Sequence, residues 1–189
     1  MILIVNVCKE KLGYYEFVKP VENILINLGE RFVIKHYSEL KEQDLDKADK
    51  VIICGTSLAD NQYMKSLKKF NWILKSERPI LGICAGMQII SSLYGCKLKK
   101  GGEIGMQRIY FEREFLGLRG DVEAYALHNF SLNEDNKLKQ NFEIYGRTNY
   151  IQAIKKNGKE LYGTLFHPEV RQKELIINFI RIKKLPKNS

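Results

Sequence analysis

The chain begins with four short apolar segments that alternate with segments of helical pattern. The apolar segments are residues 2–7, 32–36, 51–54 and 80–83, and their composition is typical of strands buried on both faces of a parallel sheet. A helix is predicted at residues 16–28, where Pro20 suits the first turn and Gly29 ends the pattern, and a short polar helix at residues 39–47. Alternation of this kind predicts a doubly wound sheet.

The following segments extend this α/β pattern. Residues 60–76 predict a helix whose buried stripe consists of Tyr63, Leu67, Phe70 and Leu74. Residues 85–95 predict another helix, ended by Gly95. Residues 97–126 contain several glycines and two alternating stretches, at 106–111 and 122–127, which predict antiparallel strands inserted at one edge of the sheet. The remaining predicted elements are strands at 151–155 and 161–166, a turn at 156–159 between them, and a helix at 174–182.

The length of 189 residues suits a single domain with a substantial core. We therefore expect residues 1–189 to form one α/β domain with a mostly parallel, doubly wound central sheet, flanking helices and a small antiparallel edge insertion. No apolar run approaches the ~20 residues of a membrane span. The first ten residues turn polar too early for a signal peptide. A cytoplasmic protein without a membrane partner is expected.

The net charge is +9 and the isoelectric point is about 9.3. The excess is spread along the chain, with local clusters at residues 64–100 and at 180–189. Solvated lysines on helix faces are the first interpretation, and a docking surface for an acidic partner is the second. The sequence lacks the signature of an RNA-binding module, so nucleic acid is not expected as a partner.

The four cysteines, Cys8, Cys54, Cys84 and Cys96, form no CxxC pair and have no histidine at zinc-binding spacing. Neither a disulfide framework nor a metal site is indicated, and no cofactor is expected. Core packing is the interpretation for Cys8, Cys54 and Cys96. Cys84 has a different sequence context.

Cys84 follows a predicted buried strand and precedes a predicted helix. Gly82 and Gly86 flank it at two residues on either side, as a tight strand-to-helix turn requires. This pattern is a nucleophile elbow with Cys in place of Ser. The N-terminus of the helix favours the thiolate form of the sulfur, and the backbone NH of Ala85 is available to an oxyanion.

His167 and Glu169 follow another predicted strand, with Pro168 between them. A thiolate mechanism needs a base that takes and returns a proton, and that base needs an acceptor that fixes its tautomer. His167 and Glu169 can supply both. Doubly wound sheets place their sites at the carboxyl ends of strands, so we expect Cys84 and His167 to meet there.

The segments 82–88 (GICAGMQ) and 166–169 (FHPE) resemble the two active-site motifs of the class I, triad-type glutamine amidotransferases, which have a flavodoxin-like sheet. The resemblance implies that Cys84 attacks the side-chain amide of L-glutamine to give a γ-glutamyl thioester and ammonia. It implies that His167 is the acid and base and that Glu169 orients it. It also implies a separate synthetase partner that receives the ammonia. GMP synthetase is the first expectation, because glutaminase chains of this length occur in that group, and other synthetases remain open.

The resemblance also assigns residues around the nucleophile. Gly55 and Thr56 supply the other half of the oxyanion hole, although Thr56 and Ser57 stand where the family usually has Gly and Pro. If Thr56 needs a backbone conformation that favours glycine, the hole is imperfect or forms only when a partner binds.

Four residues are assigned to substrate binding by the same resemblance. They are Gln88, Glu103, His128 and Asn129, of which Asn129 replaces a family glycine.

Two other functions stay open on the sequence. A free-standing hydrolase of γ-glutamyl amides would have a similar Cys-x-Gly-Met-Gln segment. A non-catalytic binding protein on the same fold is suggested by the altered loop at Gly55, although the presence of Cys84, His167 and Glu169 argues against it.

Overall fold

The computed structural model describes residues 1–182. The basic segment predicted at residues 180–189 therefore lies mostly outside the described residues. The strands are β1 (Ile2–Asn6), β2 (Phe32–His36), β3 (Lys50–Ile53), β4 (Ile80–Ile83), β5 (Leu98–Phe115), β6 (Leu118–Leu132), β7 (Phe142–Arg147), β8 (Ile151–Lys156) and β9 (Leu161–Thr164). The α-helices are α1 (Lys11–Gly13), α2 (Lys19–Asn27), α3 (Glu42–Asp46), α4 (Gln62–Lys65), α5 (Trp72–Lys75), α6 (Ala85–Leu93), α7 (Asn136–Asn141) and α8 (Lys173–Arg181).

These strands form one nine-stranded sheet in the order β2-β1-β3-β4-β9-β8-β7-β5-β6. The first five strands in this order are parallel, and the pairs from β9 to β6 are antiparallel. The α/β class with a mostly parallel sheet, predicted from the apolar segments, is confirmed. The sheet places β4 directly beside β9, and these two strands precede Cys84 and His167.

Alternate residues of the parallel strands contribute to two separate apolar cores. Ile2 and Ile4 of β1 belong to a core that contains residues of α2 and α8, whereas Leu3 and Val5 belong to one that contains residues of α6. Successive side chains of a strand point to opposite faces, so helices cover both faces of this part of the sheet.

The prediction of one continuous helix at residues 60–76 is wrong. The structure has α4, a 3₁₀ segment at Leu67–Phe70 and α5, joined by bonds such as Lys69 N–H to Ser66 O. A 3₁₀-helix has three residues per turn instead of 3.6, so the residue that faces the core after Phe70 is Ile73. Ile73 is buried, whereas Leu74 is 39% exposed. Tyr63 and Phe70 are buried as predicted.

The antiparallel region is larger than the sequence pattern indicated. β5 and β6 form a hairpin from Leu98 to Leu132, at the end of the strand order. The pattern also missed β7 and α7. Helix α2 is preceded by α1 and a π-helical turn at Tyr14–Val18, so the helical segment starts before residue 16. None of the helices within residues 1–182 is long and apolar enough to cross a membrane.

Candidate active site

Cys84 lies at the carboxyl end of β4 in a strained backbone conformation. Its φ is 48° and it is the N-cap residue of α6. A Cβ on Gly82 would lie 2.5 Å from the carbonyl carbon of Gly86, and a Cβ on Gly86 would lie 2.4 Å from the carbonyl oxygen of Ile53. Only glycine therefore allows α6 to turn back this tightly, as the nucleophile-elbow pattern predicts.

His167 and Glu169 form a buried pair just after β9. The His167 Nδ1–H donates to Glu169 Oε1 at 2.7 Å, and both side chains are almost fully buried. The backbone NH of His167 donates to the Tyr125 carbonyl at 2.8 Å, which anchors this loop to β6. With Nδ1 engaged, Nε2 is the nitrogen that can exchange a proton with a substrate or a thiol.

Gly55 packs against both the ring of His167 and the side chain of Cys84. A Cβ on Gly55 would lie 2.8 Å from His167 Cε1 and 3.5 Å from Cys84 Cβ. The Cys84 thiol donates to the Leu127 carbonyl at 3.5 Å. The structure therefore brings together Cys84, His167 and Glu169, which are far apart in the sequence.

The charge state of His167 is set by its neighbours. Burial lowers its pKa, but the Glu169 carboxylate and the Cys84 thiol raise it, and the net result is a pKa well above the usual value. The raised pKa favours an imidazolium at neutral pH, which can stabilise a thiolate at Cys84 and protonate a leaving amine.

The other cysteines are buried thiols with raised pKa values. Burial is the main reason that the pKa of Cys8 and that of Cys96 rise to about 11, and burial also raises the pKa of Cys54 well above its usual value. All four cysteines are free thiols. Since the thiolate is the reactive form, Cys8, Cys54 and Cys96 have the character of core residues.

The loop after β3 places Gly55 against the Cys84 side chain and Thr56 in the wall of the cleft beside Cys84. The Thr56 hydroxyl donates to Asp60 Oδ2 at 2.9 Å, and the backbone NH of Lys9 donates to the same oxygen at 2.7 Å. Within residues 1–182, only Cys84 and Leu116 among the non-glycine residues have a positive φ. Thr56 therefore has an ordinary backbone conformation in this structure, and its part in an oxyanion hole stays a prediction.

Thr56, Ala85, Gln88, His128 and Asn129 all line a narrow cleft next to Cys84. The amide of Gln88 is engaged on both sides. Its Oε1 accepts from the Tyr63 hydroxyl and its Nε2 donates to the Phe130 carbonyl at 3.1 Å. These two bonds hold the Gln88 side chain in the cleft wall and connect it to β6.

Glu103 lies behind His128, outside the set of residues that line the cleft. Its Oε2 lies 3.5 Å from His128 Nε2 and accepts from Gln152 Nε2 at 2.7 Å and from Thr148 Oγ1 at 2.9 Å. Burial lowers the pKa of His128 more than Glu103 raises it. The lowered pKa favours the neutral imidazole of His128 at neutral pH.

Asn129 uses its side chain to join two loops. Its Nδ2 donates to the Leu58 carbonyl at 3.0 Å. This bond ties β6 to the loop that carries Thr56.

Sequence reasoning missed three contributors to this arrangement. Asp60 holds Thr56, Tyr63 holds Gln88, and the Leu127 carbonyl accepts from Cys84. Tyr63 did stand in the predicted apolar stripe, and its hydroxyl, which needs a partner when buried, was the available signal. Within the described chain, no group of three or more His, Cys, Asp or Glu side chains could hold a metal ion.

This arrangement suits nucleophilic attack on a carbonyl carbon. The chain offers a sulfur on a strained turn and a buried imidazole held by a carboxylate, and Thr56 and Ala85 line the cleft beside the sulfur. Such a set can form and release a thioester.

Comparison with known proteins gives one consistent result. The family model described as glutamine amidotransferase class-I matches residues 13–183. A subunit of the glutamine-hydrolysing GMP synthase from Methanococcus maripaludis strain C5 is 31% identical over 173 residues, which cover 80% of this chain and 89% of that protein. The corresponding protein from strain C7 is 35% identical over 122 residues, which cover 59% of this chain and 63% of that protein, less than two thirds of its length.

A solved structure from Thermoplasma acidophilum, described as a candidate GMP synthase subunit, has a TM-score of 0.82 with 22% identity and covers 95% of this chain and 92% of that one. At this identity the likeness shows a shared fold. The family match extends over nearly the whole chain, and we conclude that the protein belongs to the glutamine amidotransferase class-I family and is an enzyme of that type.

Proposed function

We propose that the protein is a single-domain glutaminase subunit that supplies ammonia to a separate GMP-forming synthetase. The observation that carries the glutaminase role is the position of Cys84, strained at φ 48° at the end of β4, beside the buried His167–Glu169 pair. The choice of synthetase is supported by the relatives, which are named as subunits of glutamine-hydrolysing GMP synthase.

In the first half of the proposed reaction, the Cys84 thiolate attacks the side-chain carbonyl carbon of L-glutamine. The negative charge that develops on the carbonyl oxygen is stabilised by backbone NH groups of Ala85 and of the Gly55–Thr56 loop. The imidazolium of His167 then gives its proton to the leaving nitrogen as the C–N bond breaks. The products are ammonia and a γ-glutamyl thioester on Cys84.

In the second half, water attacks the thioester while His167 accepts a proton from it. The carbon–sulfur bond breaks, glutamate leaves and the thiolate–imidazolium pair is restored. Glu169 stays ionised throughout and holds Nδ1–H, so that Nε2 faces the reacting atoms. Gln88, His128 and Asn129 line the cleft and are the proposed contacts for the rest of the glutamine, with Glu103 acting through His128.

The test of this proposal is glutamine-dependent GMP formation by the purified chain together with a purified GMP-forming synthetase and its nucleotide substrates. GMP should form with glutamine as the nitrogen donor, and Cys84→Ser should abolish that activity while free ammonia still supports synthesis. Glutamine hydrolysis without any support of GMP formation would instead assign the chain to another synthetase or to a free-standing hydrolase.

A further inference from the structure

The β5–β6 hairpin passes over the carboxyl edge of the parallel strands as a two-stranded ribbon. Its backbone contacts both members of the proposed catalytic pair, because the Leu127 carbonyl accepts from the Cys84 thiol and the Tyr125 carbonyl accepts from the His167 backbone NH. The pairing of β5 with β7 is at Tyr110 and Phe111. Before these residues, β5 is held by its pairing with β6 and by the hydrogen bonds of Glu103 with Thr148 and Gln152.

One face of this ribbon is exposed and carries several apolar side chains. The alternate residues of β5 on this face are Ile104, Met106, Arg108 and Tyr110, of which Ile104, Met106 and Tyr110 are 67%, 49% and 58% exposed. Across the register, Leu127 lies opposite Ile104 and Tyr125 lies opposite Met106, and both are partly exposed. Because opposite residues of an antiparallel pair share a face, these side chains lie on the same face, and we call the five uncharged ones, Ile104, Met106, Tyr110, Tyr125 and Leu127, the outer strip. The Arg108–Glu123 pair lies on this face between Met106 and Tyr110.

The opposite face of the ribbon is already used by the core. Ile109, Ala124 and Ala126 are fully buried there. Of the outer strip, Leu127 also packs against the buried core, whereas Ile104, Met106 and Tyr110 are exposed, so the strip offers apolar surface beyond what folding buries. Exposed apolar patches of this kind mark interaction sites more often than scattered single residues do.

The outer strip is continuous with the catalytic cleft. Leu127 belongs to the strip and also lines the cleft beside Cys84. Arg108 and Glu123 lie opposite each other on the same face, between Met106 and Tyr110, and Glu123 accepts from Arg171 at 3.1 Å. The face therefore combines exposed apolar side chains with a charged pair, and protein interfaces commonly contain both.

We propose that the outer strip is the docking surface for the synthetase that accepts the ammonia, an inference that rests on the proposed function. Ammonia released at Cys84 reaches solvent unless a protein covers the mouth of the cleft, and a protein seated on the strip would cover Leu127 at that mouth. A second copy of this chain on the strip would also cover the mouth but would bring no acceptor for the ammonia.

The test compares strip variants with a matched control elsewhere. Met106→Glu and Tyr110→Glu put a charge on the strip, and Ile26→Glu puts the same charge on an apolar residue of α2 that is 53% exposed. Affinity for a purified GMP-forming synthetase is measured by isothermal titration calorimetry. Covalent labelling of Cys84 by a diazo-ketone analogue of glutamine reports independently that each variant is folded and has a competent site.

We expect each strip variant to weaken binding about tenfold or more, with Ile26→Glu close to the wild type and Cys84 labelling retained in all three. Strip variants that bind the synthetase as tightly as the wild type would overturn the inference. The inference would also be overturned if the wild-type chain formed a dimer and Met106→Glu dissociated that dimer without changing the affinity for the synthetase. A wild-type chain that is labelled at Cys84 but binds no synthetase overturns the docking surface and leaves the glutaminase role standing, whereas absence of labelling contradicts the proposed function itself.

Discussion

The Nδ1–H of His167 donates to Oε1 of Glu169 at 2.7 Å in a site where both side chains are shielded from solvent. A charged hydrogen bond in such surroundings is strong and fixes the tautomer of the ring. The same carboxylate raises the pKa of His167 against the effect of burial. The orientation of the proposed acid and base thus depends on Glu169, and the charge of that ring depends on Glu169 together with Cys84.

Glu169→Gln should lower kcat for ammonia release by about 100-fold or more, because general acid–base catalysis is lost when the ring is misoriented. The sign of the pH effect follows from the raised pKa. Without the carboxylate, the pKa of His167 falls, so the imidazolium is lost at lower pH and the alkaline limb of the kcat profile moves to lower pH. The measurement is ammonia release against pH.

Glu174→Gln is the matched control for that experiment, since Glu174 is an exposed carboxylate on α8. Its pH profile should match the wild type. An unshifted alkaline limb in Glu169→Gln would show that Glu169 does not control the charge of His167.

Gly86→Ala should destabilise the fold by roughly 1–3 kcal/mol, because the added Cβ would lie 2.4 Å from a carbonyl oxygen of β3. The backbone of a central strand cannot move away cheaply. Urea unfolding at neutral pH measures the change. Ser92→Ala, on the same helix α6, should change the free energy of unfolding by less than about 0.5 kcal/mol. Equal stability of Gly86→Ala and the wild type would mean that the turn at Cys84 is not tightly packed.

Thr56→Val should lower kcat about tenfold with little change in KM, since it removes the hydroxyl that bonds to Asp60 while keeping the backbone NH and the side-chain shape. The expected cause is a loop that no longer holds its NH toward the reacting carbonyl. Steady-state ammonia release separates the two constants. Ser57→Ala, at the neighbouring position, is the control and should behave as the wild type. An unchanged kcat for Thr56→Val would show that the hydrogen bond from Thr56 to Asp60 does not contribute to catalysis.

Tyr63→Phe should raise KM for glutamine and destabilise the protein by about 1–3 kcal/mol, because it leaves the buried Gln88 Oε1 without its partner. Glutamine titrations and urea unfolding give the two values. Tyr15→Phe, at an exposed tyrosine, should change neither. If KM stays the same while stability falls, the Tyr63–Gln88 bond supports the core and not the substrate cleft.

Much of this arrangement was predictable because the information is local. The bounds predicted for β2 and β4 are confirmed, as apolar segments between helical patterns leave few alternatives. Gly82 and Gly86 on either side of Cys84, and the spacing of His167 and Glu169, lie within a few residues of each other. Sequence alone could therefore place these groups at strand ends.

The rest depends on contacts between distant segments. The interruptions near Ser66 and Asn71 move Leu74 out of the core, and an apolar stripe alone does not show them. The bonds from Thr56 to Asp60 and from Tyr63 to Gln88 likewise exist only once loops and helices have met. The roles of Gln88, Glu103, His128 and Asn129 toward glutamine stay predictions.

Covalent trapping tests the central claim most directly. The protein is incubated with a diazo-ketone analogue of glutamine, and the adduct is mapped by peptide mass spectrometry with Cys84→Ser and excess glutamine as controls. Cys8, Cys54 and Cys96 serve as internal controls, because burial raises the pKa of each thiol. The account predicts an adduct on Cys84 alone that glutamine suppresses, and no adduct on Cys84, or equal labelling of the other three cysteines, would contradict it.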